Sequence, residues 1–124
     1  MAEFGLTKSE EVVMKCIWNS EVELALSDVT ANVNNDFGKD WKPQTVSTFL
    51  ARLVRKGYLS FYRKGRYFFY QPLVKEKDYK RDLMKEFIKF WDEGNVSTFI
   101  DDLCSHKVLS KKDIKELKEK VEKM

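Results

Sequence analysis

The stretch WKPQTVSTFLARLVRKGYL, Trp41 to Leu59, has a proline near its start, a glycine near its end and two faces of different character between them. Val46, Phe49, Leu50 and Leu53 fall at i, i+3, i+4 and i+7, the apolar stripe of a packed helix. Pro43 suits the first helical position, where its missing N–H would be unpaired anyway, and Gly57 supplies a stop. The other face holds Gln44, Thr45, Ser47 and Thr48, then Arg52 and Arg55, where a solvated helix usually carries Glu and Lys. Short side chains that donate and accept can approach base edges closely, and Gln can pair with adenine in a bidentate way. Arginine pairs phosphate or guanine, and the free amides of a helix start favour phosphate. These six residues are the expected DNA-reading face.

The segments on either side give that helix a setting. Downstream, residues 58–63 and 66–73 (YLSFYR and RYFFYQPL) read as two aromatic-rich strands, with Lys64-Gly65 as a two-residue turn and Pro72 closing the second strand. Upstream, residues 7–19 read as a helix: Thr7 and Glu10 have capping-box spacing, and Val13, Met14, Ile17 and Trp18 form a stripe. A second helix is expected from an N-cap at Ser27, with Val29 and Val33 inward and a stop at Asn34-Asn35-Asp36. Three helices followed by a hairpin with basic residues at its tip (Arg63, Lys64, Arg66) outline a winged helix-turn-helix. In that arrangement the third helix enters the major groove, and the hairpin cations hold phosphate without reading sequence.

Charge supports a polyanionic partner. The net charge of +3 over 124 residues divides unevenly: −5 over residues 1–40, +7 over 41–74, and +1 over 75–124. The middle block contains Lys42, Arg52, Arg55, Lys56, Arg63, Lys64 and Arg66 and no carboxylate.

Beyond residue 75 the pattern changes. Residues 76–93 read as a helix with Tyr79, Leu83, Phe87, Phe90 and Trp91 on one side, widened by Met84 and Ile88, a face too aromatic for a lone solvated helix. Gly94-Asn95 breaks it. Phe99, Ile100 and Leu103 mark a short helix, and Ser110 with Asp113 caps a last one, in which Ile114, Leu117, Val121 and Met124 form a coiled-coil-like seam. The expected organisation is a mainly α chain with a small β-hairpin wing: a DNA-binding domain over residues 1–74 and a helical dimerisation domain over 75–124. The dimer face is expected to comprise Tyr79, Leu83, Phe87, Phe90, Trp91, Phe99, Leu103, Ile114, Leu117 and Val121.

Several classes are disfavoured. No apolar run is long enough to span a bilayer, and the start MAEFGLTKSEE lacks the basic and apolar regions of a secretory signal, so a cytoplasmic protein is expected. Cys16 and Cys104 lie far apart, outside metal-ligand spacing, and read as buried thiols in a reducing compartment. His106, the single histidine, has no partner for catalysis or ligation in the surrounding CSHKVLS. No phosphate loop, catalytic carboxylate pair or nucleophile–base pair is present, so neither an enzyme nor a cofactor is expected.

The segments LTKSEEVVMKCIW, DWKPQTVSTFLARLVRKGYL and FYQPLV resemble the BlaI/MecI/CopY group of bacterial repressors, and the resemblance runs from Leu6 to about Lys120. Its most specific part is Trp18 combined with Trp41-x-Pro43-x-Thr45, Arg52-Leu53 and Lys56-Gly57. The resemblance implies a homodimer on a dyad operator that represses β-lactam resistance or copper homeostasis genes. Copper-responsive members carry a C-terminal cysteine cluster; this chain has only Cys104 there, so no metal site is expected. In β-lactam members a membrane-bound sensor protease triggers cleavage of an Asn-Phe bond. The corresponding bond here is Asp102-Leu103, with both residues changed. Thr45, Thr48 and Arg52 match the family, whereas Gln44 and Ser47 stand where β-lactam members tend to have basic residues, which implies a different operator. Two other readings stay open: a winged-helix module that binds an acidic protein, and a ligand-responsive regulator with an aromatic pocket that does not act by cleavage.

Overall fold

The computed structural model describes residues 5–124; Met1–Phe4, on which the reading of the N-terminal start partly rests, lie outside the described residues. The elements are α1 (Lys8–Asn19), β1 (Leu24–Ala25), α2 (Leu26–Phe37), α3 (Pro43–Arg55), β2 (Leu59–Lys64), β3 (Tyr67–Pro72), α4 (Glu76–Asp92), α5 (Val96–Ser105) and α6 (Lys111–Glu122). The chain is mainly helical with a small antiparallel sheet. It divides into two compact units, one ending at Asp82 and the other running from Leu83 to Met124.

In the first unit the capping residues do what their spacing predicts. Thr7 caps α1 through its hydroxyl, which accepts from the Glu10 N–H (3.2 Å), while Glu10 accepts from the Thr7 N–H (2.8 Å). Pro43 opens α3. Gly57 follows α3 at φ 87°, the Gly57 N–H donating to Val54 O and the Tyr58 N–H to Leu53 O, a pair of bonds that satisfies the last carbonyls. Val13, Met14, Val29, Val33, Val46, Leu50 and Leu53 are fully buried and bring one stripe of each helix into a single core. Phe49 lies at the edge of that core with its ring 5.1 Å from Trp41.

The second helix departs from expectation at both ends. It starts at Leu26 rather than after Ser27, because Asp28 accepts from the Ala25 N–H (3.0 Å) and so satisfies the helix start. It also runs past Asn34-Asn35-Asp36 to Phe37 and ends at Gly38, φ 64°. Asn34 is therefore no stop signal. Its side chain donates to Trp41 O (3.0 Å) and accepts from the Trp41 N–H (2.9 Å), clamping the turn that leads into α3.

The sheet has the order β1-β3-β2. The short first strand, unforeseen in the sequence, pairs Leu24 with Tyr70 and Ala25 with Phe69. In the hairpin the last pair is Lys64 with Tyr67, so the two-residue loop is Gly65-Arg66 rather than Lys64-Gly65. The shift puts glycine at the first loop position, where φ is 66° and a side chain would be strained.

Tyr79 also departs from expectation. It was placed on the dimer face with Phe87 and Trp91, but it is buried in the first unit, 6% exposed. Its ring lies 5.7 Å from both Trp18 and Tyr58, and its hydroxyl donates to Glu11 Oε2 (2.7 Å). Burial and the neighbouring Glu11 carboxylate raise its phenol well above the ordinary tyrosine range, so it stays a neutral donor. Nearby, the Trp18 indole donates to Val74 O (2.9 Å) and Lys15 pairs with Glu76. These contacts draw the first turns of α4 into the first unit, which is why the division falls inside α4 and not in the segment before it.

In the second unit Asn95 both breaks the chain after Gly94 and caps α5, accepting from the Thr98 N–H (3.1 Å). Ser110 and Asp113 form a capping box at α6. Neither α5 nor α6 buries a single residue.

Candidate nucleic-acid interface

The first unit presents α3 with its apolar stripe inward and Gln44, Thr45, Ser47, Thr48, Arg52 and Arg55 exposed. The two faces follow from the sequence, since at ~100° per residue the polar positions fall opposite Val46, Leu50 and Leu53. The Thr48 hydroxyl donates to Gln44 O (3.1 Å), leaving its lone pairs to accept from an incoming group. The Arg52 guanidinium sits 5.9 Å from the Phe49 ring, which steers it along the helix surface.

The hairpin supplies the other cations. Arg63, Lys64 and Arg66 are exposed, and Arg63 Nε donates to Gly65 O (3.0 Å), shaping the loop. Arg66 shares a cleft of about 340 Å³ with Ser47 of α3, the Leu26-Ser27 start of α2, and Tyr67, Phe68 and Tyr70. The structure thus brings together Ser47 and Arg66, which sequence spacing alone could not join, and adds Ser27 at a helix start. Arg52 and Arg55 line a second cleft, of about 430 Å³, with Thr7, Glu10 and Lys56.

The basic residues divide by pairing. Among the described residues Arg52, Arg55, Arg63, Lys64 and Arg66 take part in no ion pair, whereas Lys56 bonds Glu10 Oε1 at 2.8 Å. Glu10 is 1% exposed. Burial pushes its carboxyl up, but the bonds from Lys56 and Thr7 outweigh that and hold it below the ordinary carboxylate range. Five unneutralised cations around short polar side chains suit an anion with a readable edge.

What sequence reasoning missed is the positioning role of Asn34 and of Glu10 with Lys56, and the place of Ser27 in the cleft beside Arg66. Asn34 acts through Trp41, seven residues on, and Glu10 through Lys56, 46 residues on. The sequence marks Glu10 and Ser27 as caps, Asn34 as a stop and Lys56 as one cation of a block, and shows none of these roles.

Comparison with known proteins settles the family. Residues 6–123 match the penicillinase repressor family. The chain belongs to that family. It is 31% identical over 114 residues to the penicillinase repressor of Bacillus licheniformis, covering 90% of this chain and 85% of the relative. It is 28% identical over 115 residues to the methicillin resistance regulatory protein MecI of Staphylococcus aureus, covering 93% and 91%. Among solved structures, the solution structure of the DNA-binding domain of the repressor BlaI matches 64% of this chain and 94% of that domain, with 32% identity and a TM-score of 0.52. The repressor family is one of DNA-binding regulators of antibiotic resistance, not of enzymes, and the winged-helix fold of this member is that of the BlaI domain.

The remaining predicted residues fall in other surroundings. Cys16 is buried in the core, and burial pushes its thiol up to about 11, which keeps it unreactive. Cys104, expected to be buried, is exposed, because α5 buries no residue of its own, and His106 is exposed too. Among the described residues no helix is long and apolar enough to cross a membrane. Leu83, Phe87, Phe90, Trp91 and Val121 are exposed, while Phe99, Leu103, Ile114 and Leu117 are half-buried. Within the second unit Phe87 packs edge-on against Phe99 (5.9 Å) and Phe90 against Trp91 (4.9 Å). Asp102 and Leu103 lie within α5.

Proposed function

We propose that this protein is a homodimeric repressor that binds a palindromic operator and controls β-lactam resistance-type genes in the cytoplasm. In this reading Gln44, Thr45, Ser47, Thr48 and Arg52 face base edges, and Arg55, Arg63, Lys64 and Arg66 hold phosphates. The observation that carries the reading is the exposed face of α3, where short polar side chains and arginines without an ion pair among the described residues stand beside a basic hairpin, in a chain similar to a DNA-binding domain. Dimerisation is proposed through the exposed apolar surface of the second unit, formed by Leu83, Phe87, Phe90 and Trp91 with the seam Ile114, Leu117 and Val121. It would place two reading helices on two half-sites.

Relief of repression is proposed to follow cleavage at Asp102-Leu103, triggered through a membrane-bound sensor protease. The bond lies in a short helix that buries nothing of its own, so local opening costs little there. A titration of duplex DNA over a salt series, paired with sedimentation of the free protein, tests the core of the proposal. A dimer that shifts duplex with a steep salt dependence is expected. A monomer that ignores duplex at low salt would instead support a winged-helix module for an acidic protein.

A further inference from the structure

Glu10 is more deeply buried than a capping residue needs to be. The equivalent box at α6 works with an exposed Asp113, whereas Glu10 is 1% exposed. Its Oε1 accepts from the Thr7 N–H (2.8 Å) and from Lys56 Nζ (2.8 Å). Its Oε2 is buried without a hydrogen-bond partner among the described residues. A half-satisfied buried carboxylate is costly, and replacing a buried ion pair as a whole by apolar residues of similar volume is often neutral or stabilising. What the carboxylate does accomplish is specific. It fastens Lys56, the residue that ends α3, to the start of α1, beside Arg52 and Arg55 in one cleft. It also engages a lysine of the acid-free block whose neighbours Arg52 and Arg55 take part in no ion pair among the described residues.

We infer that Glu10 is a positioning residue for DNA reading: it fixes the end of α3 and withholds Lys56 from phosphate, raising the preference for operator over other DNA. This rests on the proposed function above. The test uses Glu10→Gln in the full chain, because the amide oxygen keeps an acceptor for the Thr7 N–H but loses the charge that holds Lys56. Affinities are measured for an operator recovered from a random duplex pool and for a random duplex of equal length. The temperature is one at which circular dichroism shows wild type and variant fully folded.

The operator-to-random ratio is expected to fall about tenfold, the low end of what losing a hydrogen bond to a charged group costs. The salt slope on random duplex is expected to steepen by about one unit as Lys56 joins the phosphate contacts. Lys56→Gln should lower the ratio similarly without steepening the slope, and the double variant should be no worse than either single one. If Glu10 only stabilises the fold, Glu10→Gln lowers the thermal midpoint and leaves ratio and slope unmoved, which overturns the inference. Should Glu10→Gln not fold, Lys56→Gln decides: a lowered ratio supports the inference and an unchanged one overturns it. Wild-type protein without operator preference refutes the proposed function and the inference with it; a preference that both variants retain refutes the inference alone.

Discussion

The helices up to Asp82 and those from Leu83 onward treat their apolar side chains in opposite ways. In the first unit the stripes of α1, α2 and α3 close on one another, and Val13, Met14, Val29, Val33, Val46, Leu50 and Leu53 have no exposed surface. In the second, Phe90 is 74% exposed and Trp91 67%, with Leu83, Met84 and Phe87 beside them. The first unit is a finished core whose exposed face is polar and basic. The second has a core still to be covered, since exposed aromatic surface of that breadth marks an interaction site. In the proposed function the first unit meets DNA, and the second meets a second copy of the chain.

Removing a core residue should separate the two units most strongly. Leu50→Ala is expected to destabilise the first unit by about 2–5 kcal/mol, read as a loss of denaturation midpoint. An effect near zero would mean the stripe is not the closed core described. On the other side, Phe87→Ala should weaken self-association by about 2 kcal/mol or more while near-UV signals of the first unit persist. An unchanged dimer constant in sedimentation would move the interface elsewhere. Arg52→Ala should cost about 1–3 kcal/mol of operator affinity and relax discrimination at one base position, checked by titration at fixed salt against substituted operators. Lys64→Ala is the smallest expected change. It should weaken operator and random duplex alike and flatten the salt slope by about one unit; a loss confined to the operator would make Lys64 a reader of sequence.

The same contrast explains what could be read from sequence. Signals that act within a few residues, such as the Thr7–Glu10 box, Pro43, Gly57 and Ser110–Asp113, located their elements closely. The polar face of α3 could be read because helical period and residue type suffice to define it. What stayed hidden depends on partners far along the chain. Leu24-Ala25 becomes a strand only because β3 passes beside it, and Asn34 becomes a clamp only because Trp41 returns to it. Tyr79 shows the limit of periodicity: it shares a helical side with Phe87, yet Trp18, Tyr58 and Glu11 claim it for the first core. A period assigns residues to a face but does not say what that face meets. The hairpin loop lies one residue beyond its expected place for a local reason, the demand of its first position for glycine.

Selection of bound sites from a random duplex pool bears most directly on the claim that two copies of α3 and its hairpin read DNA together. An inverted repeat with a fixed spacer, differing from a related operator at the bases facing Gln44 and Ser47, is the expected result. A pool that stays random, or a single half-site without a symmetric mate, would contradict it.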